Sequence, residues 1–354
     1  MIIQYPMFNI QRERASPRPT KHTQRGGCFM SRRRWTKVIA STVAAVLLVT
    51  GCGAGAGSGP AARSDGLIPV TVGVTPLLNA APLYLGIQHG FFKDAGLAVE
   101  PKVIQAAATA IPSLMNGELQ YALVSAVPAI TAKSQGLPVA AVAGNDVYVS
   151  DPKDDGSVLL VAPNSRFQRT ADLTGATIAI VGLRSMPELA TRLALTKAGV
   201  DPASVKFVEI PYPEMLAGVR DGRVDAALFA DPFLGQATSQ GLRPVTYPYS
   251  TALPGVTGLL WIGVQPYLQQ NADAAAKFTT AMTRAVEYAA AHPDEARASA
   301  TGFTTLSPQA LAAAHLPAYR SAVDEATFTR IAGAMVQQGF LKSVPSVEGM
   351  VWHR

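Results

Sequence analysis

Two charged side chains, Arg184 and Asp231, follow strand-like runs and could each hold one end of a small polar solute. Arg184 lies in the loop Gly182-Leu183-Arg184-Ser185, ahead of a helical run beginning at Met186. A guanidinium makes two parallel hydrogen bonds to a carboxylate, sulfonate or phosphate. Ser185 adds a hydroxyl to that loop or caps the helix behind it. The competing state for Arg184 is a solvated surface side chain. Asp231, in Asp231-Pro232-Phe233, suits the positive end of a ligand carrying both charges. Its competing roles are a hinge salt bridge and a helix N-cap. Tyr212, between Pro211 and Pro213, offers a ring wall or packs its own loop.

The first half of the chain offers hydroxyls and an amide. Thr75 and Asn79 lie in the loop after the run Val70–Val74, and Thr109 follows Gln105-Ala106-Ala107-Ala108. Thr109 stands either in a site or at a helix N-cap. Ser125 ends the run Tyr121–Ser125 and starts a helix. In open α/β sheets, ligands bind outside the carboxyl ends of the strands. Free N–H groups at helix starts favour an anionic group there. That rule alone selects these loops as the candidate binding residues, with no catalytic role. Ser125 and Ser185 lack a G-x-S-x-G context. No glycine fingerprint for a dinucleotide follows the first strand. His89 sits at a helix end, and His292, His315 and His353 are dispersed without metal-ligand spacing. Neither a cofactor nor a metal is expected.

The elements that position these loops alternate. Val70–Val74, Val99–Ile104, Tyr121–Ser125 and the extended stretch Val139–Val149 read as strands. Ala81–Ala95, Thr109–Met115 and Pro128–Gln135 read as the helices between them. The rhythm restarts with strands at Ser157–Ala162, Thr177–Val181, Val205–Ile210 and Asp225–Ala230, and helices at Met186–Ala198 and Pro213–Arg220. Such repetition predicts mostly parallel sheets with helices on both faces. After the strand Gly258–Val264 the chain is almost wholly helical. The pattern predicts two α/β lobes: 67–160 with 257–354 as lobe one, and 161–256 as lobe two. Crossings near Val158–Pro163 and Pro254–Trp261 would form a two-strand hinge suited to closure around a ligand.

Cys52 places the chain. It follows Val49-Thr50-Gly51, an apolar run Val38–Val49 and the basic segment Arg32-Arg33-Arg34-Trp35-Thr36-Lys37. A basic start, an apolar middle and small residues before a cut form a secretory signal. A Cys directly after the cut resembles the lipobox of bacterial lipoproteins, which implies lipidation of Cys52 and an anchored mature chain. The apolar run is too short to span a bilayer, which takes about 20 residues. The basic segment also resembles a twin-arginine export signal, so Sec and twin-arginine routes both stay open, as do Met1 and Met30 as starts. Residues 52–66, rich in Gly and Ala, read as a flexible tether.

Cutting at Cys52 changes the charge argument. The whole chain carries 30 Lys+Arg and 24 Asp+Glu. Nine of those bases and one acid, Glu13, precede Gly51. The remainder holds 21 bases and 23 acids. The basic balance therefore belongs to the leader, and nucleic-acid binding loses its electrostatic footprint. One remaining Cys excludes a disulfide framework and Cys-based zinc sites.

Four phrases then resemble a known family. They are Ala81–Glu100 with its Gly90-Phe91-Phe92, Met115–Ala129 with Asn116-Gly117-Glu118, Asp172–Ile180 opening on Asp172-Leu173-Thr174-Gly175, and Leu216–Phe233. Together they resemble the solute-binding proteins of bacterial ABC importers that handle sulfonates, nitrate, taurine and thiamine-pyrimidine precursors. The resemblance implies a bilobed flytrap of periplasmic-binding-protein type, no enzyme activity and a small anionic or zwitterionic ligand. It implies an ABC permease and ATPase as partners, a monomer, and a site on the outer face of the cytoplasmic membrane. An acid–Pro–aromatic phrase is frequent in that family where Asp231 stands. The alternatives are a same-fold enzyme, of the pyrimidine-synthase or menaquinone-pathway kind, and a sensory lipoprotein.

Overall fold

A computed structural model describes residues 66–104, 109–231, 233–304, 306–323 and 325–353. Cys52, its leader and the tether lie outside these residues. Among the described residues no helix is long and apolar enough to cross a membrane.

The first half runs β1 (Ile68–Val74), α1 (Ala81–Gln88), α2 (Phe91–Asp94), β2 (Leu97–Val103), α3 (Ala110–Met115), β3 (Tyr121–Ser125), α4 (Ala126–Ser134), β4 (Val139–Gly144) and β5 (Asp146–Val147). The middle runs β6 (Ser157–Val161), β7 (Thr177–Ile180), α5 (Met186–Lys197), β8 (Lys206–Glu209), α6 (Tyr212–Arg220), β9 (Ala226–Ala230), α7 (Phe233–Ser239), β10 (Arg243–Thr246) and α8 (Pro248–Ala252). The chain then returns through β11 (Leu259–Val264), α9 (Gln265–Gln270), α10 (Ala272–Ala291), α11 (Pro293–Ser299), α12 (Pro308–Ala313), β12 (Ala318–Tyr319) and α13 (Glu325–Gln337). The single helix expected over Ala81–Ala95 is two. Gly90, at φ 74, ends one and turns the chain into the next, a conformation that a Cβ would disfavour.

Two five-stranded sheets result, ordered β2-β1-β3-β11-β4 and β10-β6-β9-β7-β8. Period-2 alternation buries both faces of each. Tyr121 and Leu123 pack with Trp261, Phe278 and Met282 beneath α1 and α10, while Ala122 and Val124 pack with Ile130 and Phe328 beneath α4 and α13. In the second sheet, Leu159, Ile178 and Leu228 face α5, and Leu160, Ala179 and Phe229 face α6 and α7.

The sheets are mixed, not mostly parallel. β1 pairs in parallel with β2 and β3, and β7 with β8 and β9, but β11 and β6 run against their neighbours. The reason is topological. β6 and β11 are the strands that enter each lobe from the hinge, so they run opposite to strands that end there. It follows that the carboxyl ends of β1, β2, β3 and β4 and those of β7, β8 and β9 all point toward the hinge, from opposite sides. β6 pairs wholly within the second sheet, so the first crossing is residues 145–156, earlier than the stretch at 158–163.

Candidate functional site

The hinge is the floor of the space between the two sets of strand ends. Its two crossings run antiparallel and are bonded to each other. Asn145 N donates to Leu259 O (3.0 Å), Gly258 N to Asp146 O (2.8 Å), Tyr148 N to Val256 O (2.9 Å) and Gly255 N to Tyr148 O (2.8 Å). Two buried carboxylates on the first crossing anchor it further. Asp146 accepts from Asn79 Nδ2 (2.8 Å), Asn145 Nδ2 (2.8 Å) and Leu259 N (3.2 Å). Asp155 accepts from Ser157 N and Ser250 N, each at 3.0 Å. Burial pushes both carboxyl groups above their ordinary range, although these hydrogen bonds pull the other way. Asn145 is fully buried and accepts from Trp261 Nε1 at 3.0 Å. Tyr148, on the first crossing, stacks on Tyr249 of α8 near the second, with ring centroids 4.4 Å apart. Burial raises both phenols well above their ordinary range.

The first lobe brings Thr75 and Ser125 to neighbouring strand ends, after β1 and β3. Both are half-buried, and neither hydroxyl has a hydrogen-bond partner among the described residues. Ser125 is extended (φ −76, ψ 169) at the start of α4, yet its side chain does not cap that helix. Asn79, expected as a free amide, is committed to Asp146. Thr109 is exposed at the start of α3 and does not cap it through its hydroxyl.

The second lobe departs from expectation more sharply. Arg184 adopts a left-handed backbone (φ 52), a strained state for a residue with a Cβ. Its N–H donates to Glu188 Oε2 at 2.6 Å. Its guanidinium donates to the Phe340 carbonyl and lies 5.3 Å over the Phe340 ring. The side chain is thus tethered to the Phe340 carbonyl through one guanidinium nitrogen and is otherwise exposed. Ser185 turns its hydroxyl onto the Gly182 carbonyl and does not cap α5. Tyr212 begins α6 and stacks on Phe233 at 5.3 Å. Burial raises its phenol, which has no hydrogen-bond partner among the described residues. Asp231, 9% exposed, follows β9 and accepts from His315 N at 2.8 Å, with His315 Nδ1 2.7 Å from the same oxygen. Burial raises its carboxyl, against His315 and the Gly235 N–H. Three residues central to this geometry, Tyr148, Tyr249 and His315, escape sequence reasoning. The tyrosines carry no motif that sets them apart from core aromatics, and His315 has no metal spacing to draw notice.

A family model described as "NMT1/THI5 like" matches residues 78–296, more than half of the chain. The chain belongs to that family. The chain is similar to a formylaminopyrimidine-binding protein of Halalkalibacterium halodurans, 26% identical over 218 residues, which are 60% of this chain and 63% of the relative. Against two of the curated relatives the match spans 65% and 63% of their length, just under two thirds. The fold is that of the bilobed solute-binding proteins. The aliphatic sulphonate binding protein SsuA of Escherichia coli superposes with a TM-score of 0.68 at 19% identity, over 80% of this chain and 92% of that one. The SsuA of Xanthomonas axonopodis pv. citri, solved with MOPS bound, gives 0.69 at 17% identity, over 81% and 98%.

Proposed function

We propose that this NMT1/THI5-like protein is the solute-binding component of an ABC importer, held outside the cytoplasmic membrane by a lipid on Cys52. It captures its solute by lobe closure and performs no chemistry on it. One observation carries the reading: the two sets of strand carboxyl ends point at each other across a hinge of two mutually bonded crossings. That arrangement places helix starts and short loops of both lobes around one space, with closure as its natural motion.

Among sulfonates, taurine-like zwitterions and pyrimidine precursors, the lining favours a polar planar ring. Half-buried Tyr148 and Tyr212, backed by their stacks on Tyr249 and Phe233, supply ring faces. Thr75, Ser125 and the Tyr212 phenol supply hydrogen bonds. One Arg184 nitrogen is engaged by the Phe340 carbonyl, and Asp146 and Asp155 set negative charge at the floor, which disfavours a sulfonate. Calorimetric titration of the purified protein with substituted aminopyrimidines, taurine and short alkanesulfonates tests this. A ring compound should bind tightest and compact the protein in solution scattering. Tight sulfonate binding would remove the ring preference, and no binding with no compaction would remove the importer reading.

A further inference from the structure

We infer that His315 is a positioning residue that latches the second lobe shut against the C-terminal part of the first, with Asp231 as its catch. The two residues belong to different lobes. Asp231 ends β9, in the middle of the second sheet. His315 lies between α12 and β12, in a segment that packs on the first lobe. Leu311, Ala314 and Leu316 share a cluster with Leu78, and Tyr319 Oη donates to the Leu78 carbonyl at 2.7 Å.

The catch is built on both sides. One oxygen of Asp231 receives the His315 backbone N–H and its Nδ1. An ionised carboxylate only accepts, so Nδ1 carries the proton. The Asp231 N–H is fixed to the Gly156 carbonyl at 2.8 Å. A Cβ at Gly156 would come within 3.4 Å of the His315 Cβ and 3.5 Å of the Asp231 carboxylate, so the end of the first crossing lies directly against His315 and its catch. A second clasp joins the lobes elsewhere: Arg184, after β7, grips the carbonyl of Phe340, whose ring is buried in the core beneath α13. Both lobe-two residues that could have gripped a charged ligand therefore grip the C-terminal segment. Closure is held in part by the protein itself, before any solute arrives.

The test uses ligand-free protein, so its failure is separable from failure of the importer reading. Solution scattering is recorded for the wild type, His315→Leu and His315→Asn, each confirmed folded by circular dichroism. The Asn amide places an N–H where Nδ1 stands. His315→Leu should expand the protein by roughly 1 Å in radius of gyration, against about 19 Å for a compact chain of about 300 residues, the stretch from Cys52 onward. His315→Asn should stay near the wild-type value. An unchanged radius in His315→Leu overturns the latch. Equal expansion in both variants also overturns it, because the side-chain donor would then be irrelevant.

Discussion

Replacing Gly258 by Ala tests how rigid the hinge is. A Cβ there would stand 2.2 Å from Asp146 Oδ1 and 3.1 Å from Tyr148 Cε1. Carbon and oxygen approach to about 3.3 Å even in favourable contacts, so about 1 Å of movement is required. The carboxylate cannot swing aside, because Asn79, Asn145 and Leu259 hold it from three directions. Moving Oδ1 breaks the bond from Leu259 N. Losing a hydrogen bond to a charged group costs about 1.5–3 kcal/mol, and overpacking adds about 1–3 kcal/mol. The expected loss is about 2.5–6 kcal/mol, read from the urea midpoint with an unchanged slope. Gly333→Ala is the control. A Cβ there meets nothing within 4 Å in the middle of α13, so it should gain up to about 1 kcal/mol. In a double-mutant cycle, Asp146→Ala should remove most of the extra cost of Gly258→Ala, since the clashing atom is gone. A loss below about 1 kcal/mol in Gly258→Ala, or additive effects in the cycle, would refute a pinned carboxylate.

Four further outcomes follow from the same geometry. Trp261→Phe removes the indole N–H and leaves Asn145 Oδ1 buried without its donor; denaturant unfolding should show a loss of about 1–3 kcal/mol. Asp146 and Asp155 hold their protons more tightly folded than unfolded, so they favour the folded state as pH falls toward the unfolded carboxyl value of about 4 and oppose it as pH rises through their raised folded values. Urea midpoints should therefore rise on moderate acidification below neutrality, and Asp155→Asn should flatten that rise. Tyr249→Ala removes one face of the hinge stack and should weaken ring-ligand affinity at least tenfold by calorimetry, while Tyr249→Phe keeps most of it. Cys52→Ala should abolish lipid labelling and release the protein from membranes without altering solute affinity; membrane retention with labelling intact would exclude Cys52 as the anchor.

The architecture was legible because it rests on local signals. Strand runs alternate with helical ones, and Gly90, Gly96 and Gly117 punctuate them with positive φ. The run of helices after Val264 announced a return to the first lobe. Strand direction was less legible: the rhythm of strands and helices says nothing of a strand arriving from another lobe, as β6 and β11 do. Side-chain roles were least legible. Thr75 and Ser125 stand where the strand-end rule puts them. Asn79, Arg184 and Asp231 stand there too, but their partners, Asp146, Phe340 and His315, lie at sequence separations of 67, 156 and 84. No local pattern encodes such pairings, and a polar residue in a loop reads alike whether it awaits a solute or already grips its own chain.

The position of β11 has a consequence for how the protein is made. β4 joins the first sheet only through β11, which is encoded more than a hundred residues later. A growing chain can therefore assemble β1, β2 and β3 locally, but it must leave β4 without a sheet partner until Leu259–Val264 has been synthesised. Closing so long a loop is slow. The second sheet, contiguous from Ser157 to Thr246, faces no such wait and can fold as a unit while its host lobe is still open. The order of assembly thus runs inside out, with the inserted lobe maturing first and the lobe that carries both termini completing last.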